Sequence, residues 1–126
     1  MKNKNEQSIK QFSFDYDPEN DNLFLYNPKS KSKASIELDN IIIDFNSKKQ
    51  LSAIEITNAT KILTALLKEK TALDKNMLQE IKDCKIEIIK QNNHLIIRLF
   101  IVLKSKKIFT PIVIPTINEP SPSIAG

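Results

Sequence analysis

Four acids, Asp15, Asp17, Glu19 and Asp21, recur at every second position around Pro18, a spacing that resembles the start of a calcium loop. An EF-hand loop needs Gly at its sixth position and Glu at its twelfth. Counted from Asp15, those positions hold Asn20 and Tyr26. The tetrad is therefore read as a turn former, not a metal site. Glu37, Asp44 and Glu55 sit on neighbouring predicted strands, where paired carboxylates could serve as acid and base if burial set their pKa values apart. Alternating acids on strands are more often the solvent side, with Lys48 and Lys49 balancing their charge. Cys84 and His94 suggest a thiol–imidazole nucleophile. A hairpin turning at Asn92-Asn93 would set His94 opposite roughly Gln91, so the pair fails on geometry. Two lysine clusters, Lys29, Lys31 and Lys33, then Lys104, Lys106 and Lys107, form candidate anion contacts without a glycine-rich loop to support them. No catalytic, cofactor-binding or metal-ligating residue is assigned, and the chain is read as non-enzymatic.

The elements that would position these residues are legible from their periodicity. Residues 1–11 read as a flexible arm. Phe12, Phe14 and Tyr16 alternate with polar residues, and a YDPEND turn leads to a return strand from Leu23 to Tyr26. Residues 34–38, IIIDF and LSAIEIT complete an antiparallel meander of about five strands. After Thr57 the period becomes helical: Ile62, Leu63, Leu66 and Leu67 share a face, with Asn58 as the expected N-cap. A shorter helix carries Leu73, Met77 and Ile81, capped by Thr71 or Asp74. Two or three further antiparallel strands follow, with Pro111 and Pro115 marking the last as an edge. The class is α+β: one domain over residues 12–117, then a disordered tail over 118–126.

Composition narrows the function classes. Hydrophobic residues make up 40% and charged residues 27% of 126, which suits a folded domain. The net charge of +4 could favour an anionic partner. Nearly all of it is Lys, whereas nucleic-acid readers favour the planar fork of Arg, and Arg98 is the sole Arg. Cys84 is alone, so no disulfide forms within one chain. The N-terminus has no apolar core of a signal peptide, and the longest apolar run, Leu95 to Leu103, is too short to span a bilayer. A cytoplasmic protein without membrane contact is expected. With Gly126 as its only glycine, the chain must give positive φ angles to Asn, Asp and Ser, at Asn20-Asp21, Asp39-Asn40, Asn46-Ser47 and Asn92-Asn93.

The block YDPEND with LFLY (Tyr16 to Tyr26), IELDN (Ile36 to Asn40), IIDFN (Ile42 to Asn46) and LSAIEITNAT (Leu51 to Thr60) resembles the DUF2283 family of small bacterial and archaeal proteins. The likeness covers roughly residues 12–63, within a family-like part over 12–69, and leaves 70–117 as a C-terminal extension. It implies an antiparallel sheet with a helix packed on it, and no activity, cofactor or catalytic residue. Family members carry an acid and a glycine in the turn before the LSAIEI strand; here that turn is Ser47-Lys48-Lys49-Gln50. Family members often stand beside genes resembling small toxin-like ribonucleases, so the resemblance implies an antitoxin or partner-binding role.

The run from Leu95 to Leu103 is apolar on both parities apart from Arg98, which asks for cover on both faces. A homodimer or a protein-partner interaction module is expected, with Leu95, Ile97, Leu99, Ile101, Ile112 and Ile114 as the interface. The alternative is a nucleic-acid-associated or antitoxin-like regulator that works through the lysine loops.

Overall fold

The computed structural model describes residues 6–67, 72–91 and 94–115, which form two antiparallel sheets of nine strands in all and two short helices. The strands are β1 (Glu6–Gln11), β2 (Ser13–Asp17), β3 (Asn22–Tyr26), β4 (Ala34–Leu38), β5 (Ile41–Phe45) and β6 (Leu51–Ile56). After helices α1 (Ala59–Leu67) and α2 (Lys75–Leu78) come β7 (Ile81–Gln91), β8 (His94–Leu103) and β9 (Lys107–Pro115). The molecule is thus richer in β-structure than a balanced α+β description implies.

The first five expected strands form one sheet, but not a meander. Its order is β2-β3-β6-β5-β4, so β3 pairs with β6 and the β3–β4 connection crosses to the far edge. Local turn signals set each hairpin but carry no information about which hairpins pair. The other sheet, ordered β1-β7-β8-β9, takes in residues 6–11 of the segment expected as an arm. EQSIKQ has a single apolar residue, Ile9, and no amphipathic alternation. Its six residues are held as a strand by ladder pairing with β7, from Glu6 opposite Lys90 to Gln11 opposite Lys85. Between β1 and β2 the buried Phe12 donates its N–H to Cys84 O at 3.0 Å, and there the chain passes from one sheet to the other.

Period-two alternation sends one row of each sheet to a shared interior. Leu23, Leu25, Ile43, Ile54 and Ile56 come from the first sheet, Ile86, Ile97, Leu99 and Ile101 from the second, and Ala59, Leu63 and Leu78 from the helices. Each of the Leu and Ile side chains contributes about 1.5–3 kcal/mol by leaving water. The apolar face expected for α1 is present: Leu63 is buried, with Ile62, Leu66 and Leu67 packed against the core. Its capping differs. Asn58 has φ 50°, outside the extended range of an ordinary N-cap, and the carboxylate of Asp21 accepts Thr60 N–H and the Thr60 hydroxyl instead. At α2, Asp74 accepts the N–H of Met77 at 2.9 Å, as its spacing predicts; the helix stops at Leu78, and Ile81 opens β7.

Three expected turn sites fall on described residues. Asp21 and Asp39 adopt positive φ, and in the third turn Lys49 does so, not Asn46 or Ser47. Asn46 instead binds that turn together, its side-chain oxygen accepting Lys48 N–H and Gln50 N–H. Asn92-Asn93, Thr71 and the tail over 118–126 lie outside the described residues. No helix among the described residues is long and apolar enough to cross a membrane.

Candidate interaction surface

Five of the six residues expected as an interface lie on the core face of their sheet. Leu95, Ile97, Leu99, Ile101 and Ile112 are buried in the core, so no partner can reach them; the side chain of Ile114 lies outside the described ones. Because β8 is apolar on both parities, its sequence does not distinguish the inner row from the outer one, and a shift of one residue exchanges them. The outer row of β8 is Ile96, Arg98, Phe100 and Val102, all half-buried.

Ladder pairing extends that row across the sheet. Ile96 lies between Ile89 and Val113, Arg98 between Glu87 and Pro111, and Phe100 between Lys85 and Phe109; Ile9 joins beyond Glu87. Cross-strand neighbours on one face stand close enough to act as a unit. Phe100 and Phe109 stack with centroids 4.8 Å apart and planes at 23°. Three of the apolar members are open to solvent: Ile9 at 62%, Phe109 at 52% and Val113 at 53%. Sequence reading missed this face because Ile9 and Phe109 sit on elements expected as arm and edge. A signal was present in the second parity of the Leu95–Leu103 run.

The face has charge as well as area. Arg98 Nη1 meets Glu87 Oε1 at 3.3 Å, and Glu87 is buried, so the chain's one guanidinium is committed to a carboxylate in the middle of the apolar field. Asp83 accepts a hydrogen bond from Gln11 at one end. Lys85 and Lys107 stand exposed on either side of the aromatic stack, Lys107 opposite Val102. The surface therefore combines an apolar field, a neutral centre and a cationic flank.

The other candidate residues do not converge. Lys29, Lys31 and Lys33 lie in the connection to β4 on the five-stranded sheet, while Lys104, Lys106 and Lys107 surround the β8–β9 turn of the other. No strand pairing brings the two clusters together among the described residues. Glu37 and Glu55 flank Ile42 across β4, β5 and β6, and Asp44 lies one row away on the same outer face. Asp44 accepts the Ser32 and Ser35 hydroxyls and Glu55 accepts the Asn22 amide, on an open surface where His94, the chain's sole histidine, has no place in the sheet. In the acid tetrad, Asp17 accepts the Asn20 side-chain amide first, then the backbone N–H groups of Asn20 and Glu19, which together hold its carboxyl below the ordinary range. Burial alone would raise Asp21, but hydrogen bonds from Tyr16 and Thr60 outweigh it and hold that carboxyl low as well. Cys84 is buried, and desolvation beside Asp83 pushes its thiol up to about 12, far from a reactive thiolate at neutral pH. His94 pairs with Gln91 at the other end of the hairpin, as the spacing predicts.

An open cleft lined by Phe14, Asp15, Tyr16, Leu78, Gln79 and Ile81 lies where β2 meets α2. The Tyr16 hydroxyl there is already donated to Asp21 at 2.6 Å. The cleft lacks the convergent polar groups that fix a ligand.

The family model described as "Protein of unknown function (DUF2283)" matches residues 13–59, which is the whole five-stranded sheet and the start of α1. An uncharacterised protein of Methanocaldococcus jannaschii is 36% identical over 104 residues, spanning 82% of this chain and 85% of the relative. A Methanosarcina mazei protein, named provisionally as a hypoxanthine phosphoribosyltransferase, is 34% identical over 95 residues, 74% of this chain and 71% of the relative. Both alignments are longer than the family segment and extend into the residues that form the second sheet here. No solved structure matches the chain.

Proposed function

We propose a function from the premise that this chain belongs to the DUF2283 family of proteins of unknown function, whose matched segment is one sheet of the two. The chain is a non-enzymatic protein-interaction module, and the outer face of the four-stranded sheet is its docking surface. The observation that carries this reading is the exposed apolar field of Ile9, Phe109 and Val113 around the stacked Phe100. Apolar area of this kind gains about 25 cal/mol per Å² when covered, and exposed patches of contiguous strands mark contact sites. The neutral Glu87–Arg98 centre and the Lys85 and Lys107 flank specify the occupant: a protein surface that is apolar at its middle and acidic at its rim.

The non-enzymatic reading rests on how the polar groups are spent. Asp17, Asp21, Asp44 and Glu55 hold turns, a helix start and neighbouring side chains. The name of the Methanosarcina mazei relative belongs to that protein. A transferase of that kind must hold phosphate groups, a task suited to a glycine-rich loop and a free helix N-terminus. Here the α1 N-terminus is occupied by the Asp21 carboxylate, and the only glycine is Gly126.

A second reading draws on one observation: the Phe100–Phe109 stack stands between Lys85 and Lys107, a cation–aromatic arrangement on which single-stranded nucleic acid can stack. The aliphatic members Ile9, Ile89, Ile96 and Val113 favour a protein. The test is capture by the full chain from nuclease-treated lysate, run beside the double variant Phe109→Lys, Val113→Lys, with a salt titration of retained nucleic acid as control. The proposal expects a protein that binds the parent chain again after purification and does not bind the variant. Retention that depends on nucleic acid and falls steeply with salt would favour the second reading.

A further inference from the structure

The edges of the two sheets are not equally protected. Outer strands present unpaired backbone groups and are ordinarily blunted by Pro, Lys or bulges. β9 carries Pro111 and Pro115, β1 carries Lys10, and β2 is half-buried at four of its five residues, with Phe14 and Tyr16 packed against the core. The remaining edge, β4, has the sequence ASIEL, is exposed at all five residues and contains neither Pro nor Lys. Its Glu37 lies on the outer row beside Ile42, away from the core row. On that core row Ile36 pairs with the buried Ile43, and Leu38 pairs with Ile41, yet Ile36 is 39% and Leu38 37% exposed. The core row thus runs to the sheet edge and stops there uncovered.

We propose that β4 pairs antiparallel with the β4 of a second copy, about a twofold axis through Ile36, joining two five-stranded sheets into one. An axis perpendicular to the sheet must pair residues of the same face, which restricts it to positions on a residue. Centred on Ile36, it pairs all five strand residues: Ile36 with itself, Ala34 with Leu38, and Ser35 with Glu37 of the second copy. The apolar row is then continuous across the join, and no like charges oppose. Just beyond the strand, the same register sets Lys33 against Asp39 of the second copy, twice by symmetry. Centred on Glu37, the axis would set that carboxylate against its own copy, a destabilising pair. Centred on Ser35, it would set Lys33 against Glu37 but leave Leu38 opposite Ser32, breaking the apolar row. The charge complementarity of Lys33 with Asp39 selects a second copy as the occupant of this edge. The docking face on the other sheet stays open, so the pair presents two such faces to a partner.

The test is the solution mass of the full chain by sedimentation equilibrium at micromolar concentration, for the parent, Lys33→Glu, Asp39→Lys and the double swap. Lys is tolerated in left-handed backbone in this protein at Lys49, φ 63°, so Asp39→Lys, φ 53° at its site, can fold; a thermal melt checks each variant. The expected result is a dimer of the 14.4 kDa chain, weakened about tenfold in Kd by either single reversal and restored by the swap. A monomeric parent overturns the pairing, as does a swap that fails to restore it. A dimer lost through Phe109→Lys, Val113→Lys and indifferent to Lys33→Glu also overturns it, and places the second copy on the outer sheet face. Capture of a partner protein by that face is read separately and survives either outcome.

Discussion

Phe100 stacks on Phe109 across β8 and β9, one ring half-buried and the other open to solvent, at a centroid distance of 4.8 Å. The inner neighbours of this pair, Leu99 and Ile101, are fully buried. The same strand therefore builds the core with one parity and a contact surface with the other. That division is the basis for treating the outer face as functional and not as unfinished core.

Asp21 ties the first hairpin to α1, and its charge gives stability a pH dependence. It accepts the Tyr16 hydroxyl at 2.6 Å and the Thr60 hydroxyl at 2.7 Å, and its backbone O accepts Ala59 N–H. Its carboxyl titrates lower in the folded chain than in the unfolded one, near 3.9. The stability it contributes is thus complete above that value and is lost as pH falls through the folded one. For Tyr16, burial and then the Asp21 bond raise the phenol, so its contribution is present below about pH 10 and is lost in alkali. Asp21→Asn, which keeps the left-handed backbone feasible, should cost about 1 kcal/mol at pH 7 after allowance for partial exposure. Urea melts at pH 7 and pH 3 check this, with the difference from the parent expected to shrink in acid.

Lys49 occupies a backbone position that suits glycine. Its φ of 63° lies in the turn between β5 and β6, where family members carry Gly. A side chain with a Cβ is penalised there by about 1 kcal/mol. Lys49→Gly should raise the urea midpoint by the equivalent of about 0.5–1 kcal/mol, less the added freedom of the unfolded chain.

Thr110 hides a hydroxyl in the core. It faces inward opposite Leu99, is 1% exposed, and its Oγ1 has no hydrogen-bond partner among the described residues. An unsatisfied buried hydroxyl costs about 1–3 kcal/mol. Thr110→Val keeps the branched shape and should stabilise the fold by about 1 kcal/mol in a thermal or urea melt.

Much of the fold was legible because apolar residues alternate where strands half-bury and shift to helical spacing at Ile62 to Leu67. What stayed hidden depends on distant partners. EQSIKQ becomes a strand through backbone pairing with β7, which needs no side-chain pattern. The pairing of β3 with β6 joins segments distant in sequence, such as Leu23 with Ile56, which neither flanking turn encodes. Asp21 caps a helix 39 residues later, so no local box announces it. For the candidate surface, the doubly apolar run of β8 pointed to the right strand, and only pairing with its neighbours could decide the row.

The most direct measurement of the central claim is binding of a captured, repurified partner to the parent chain and to Phe109→Lys, Val113→Lys, by calorimetry in the absence of nucleic acid. Loss of two apolar anchors typically costs about 2 kcal/mol or more, so the account predicts binding by the parent and roughly a thirtyfold or greater loss in the folded double variant. Lys33→Glu should bind that partner as the parent does. Equal affinity of the parent and the face variant would contradict the account.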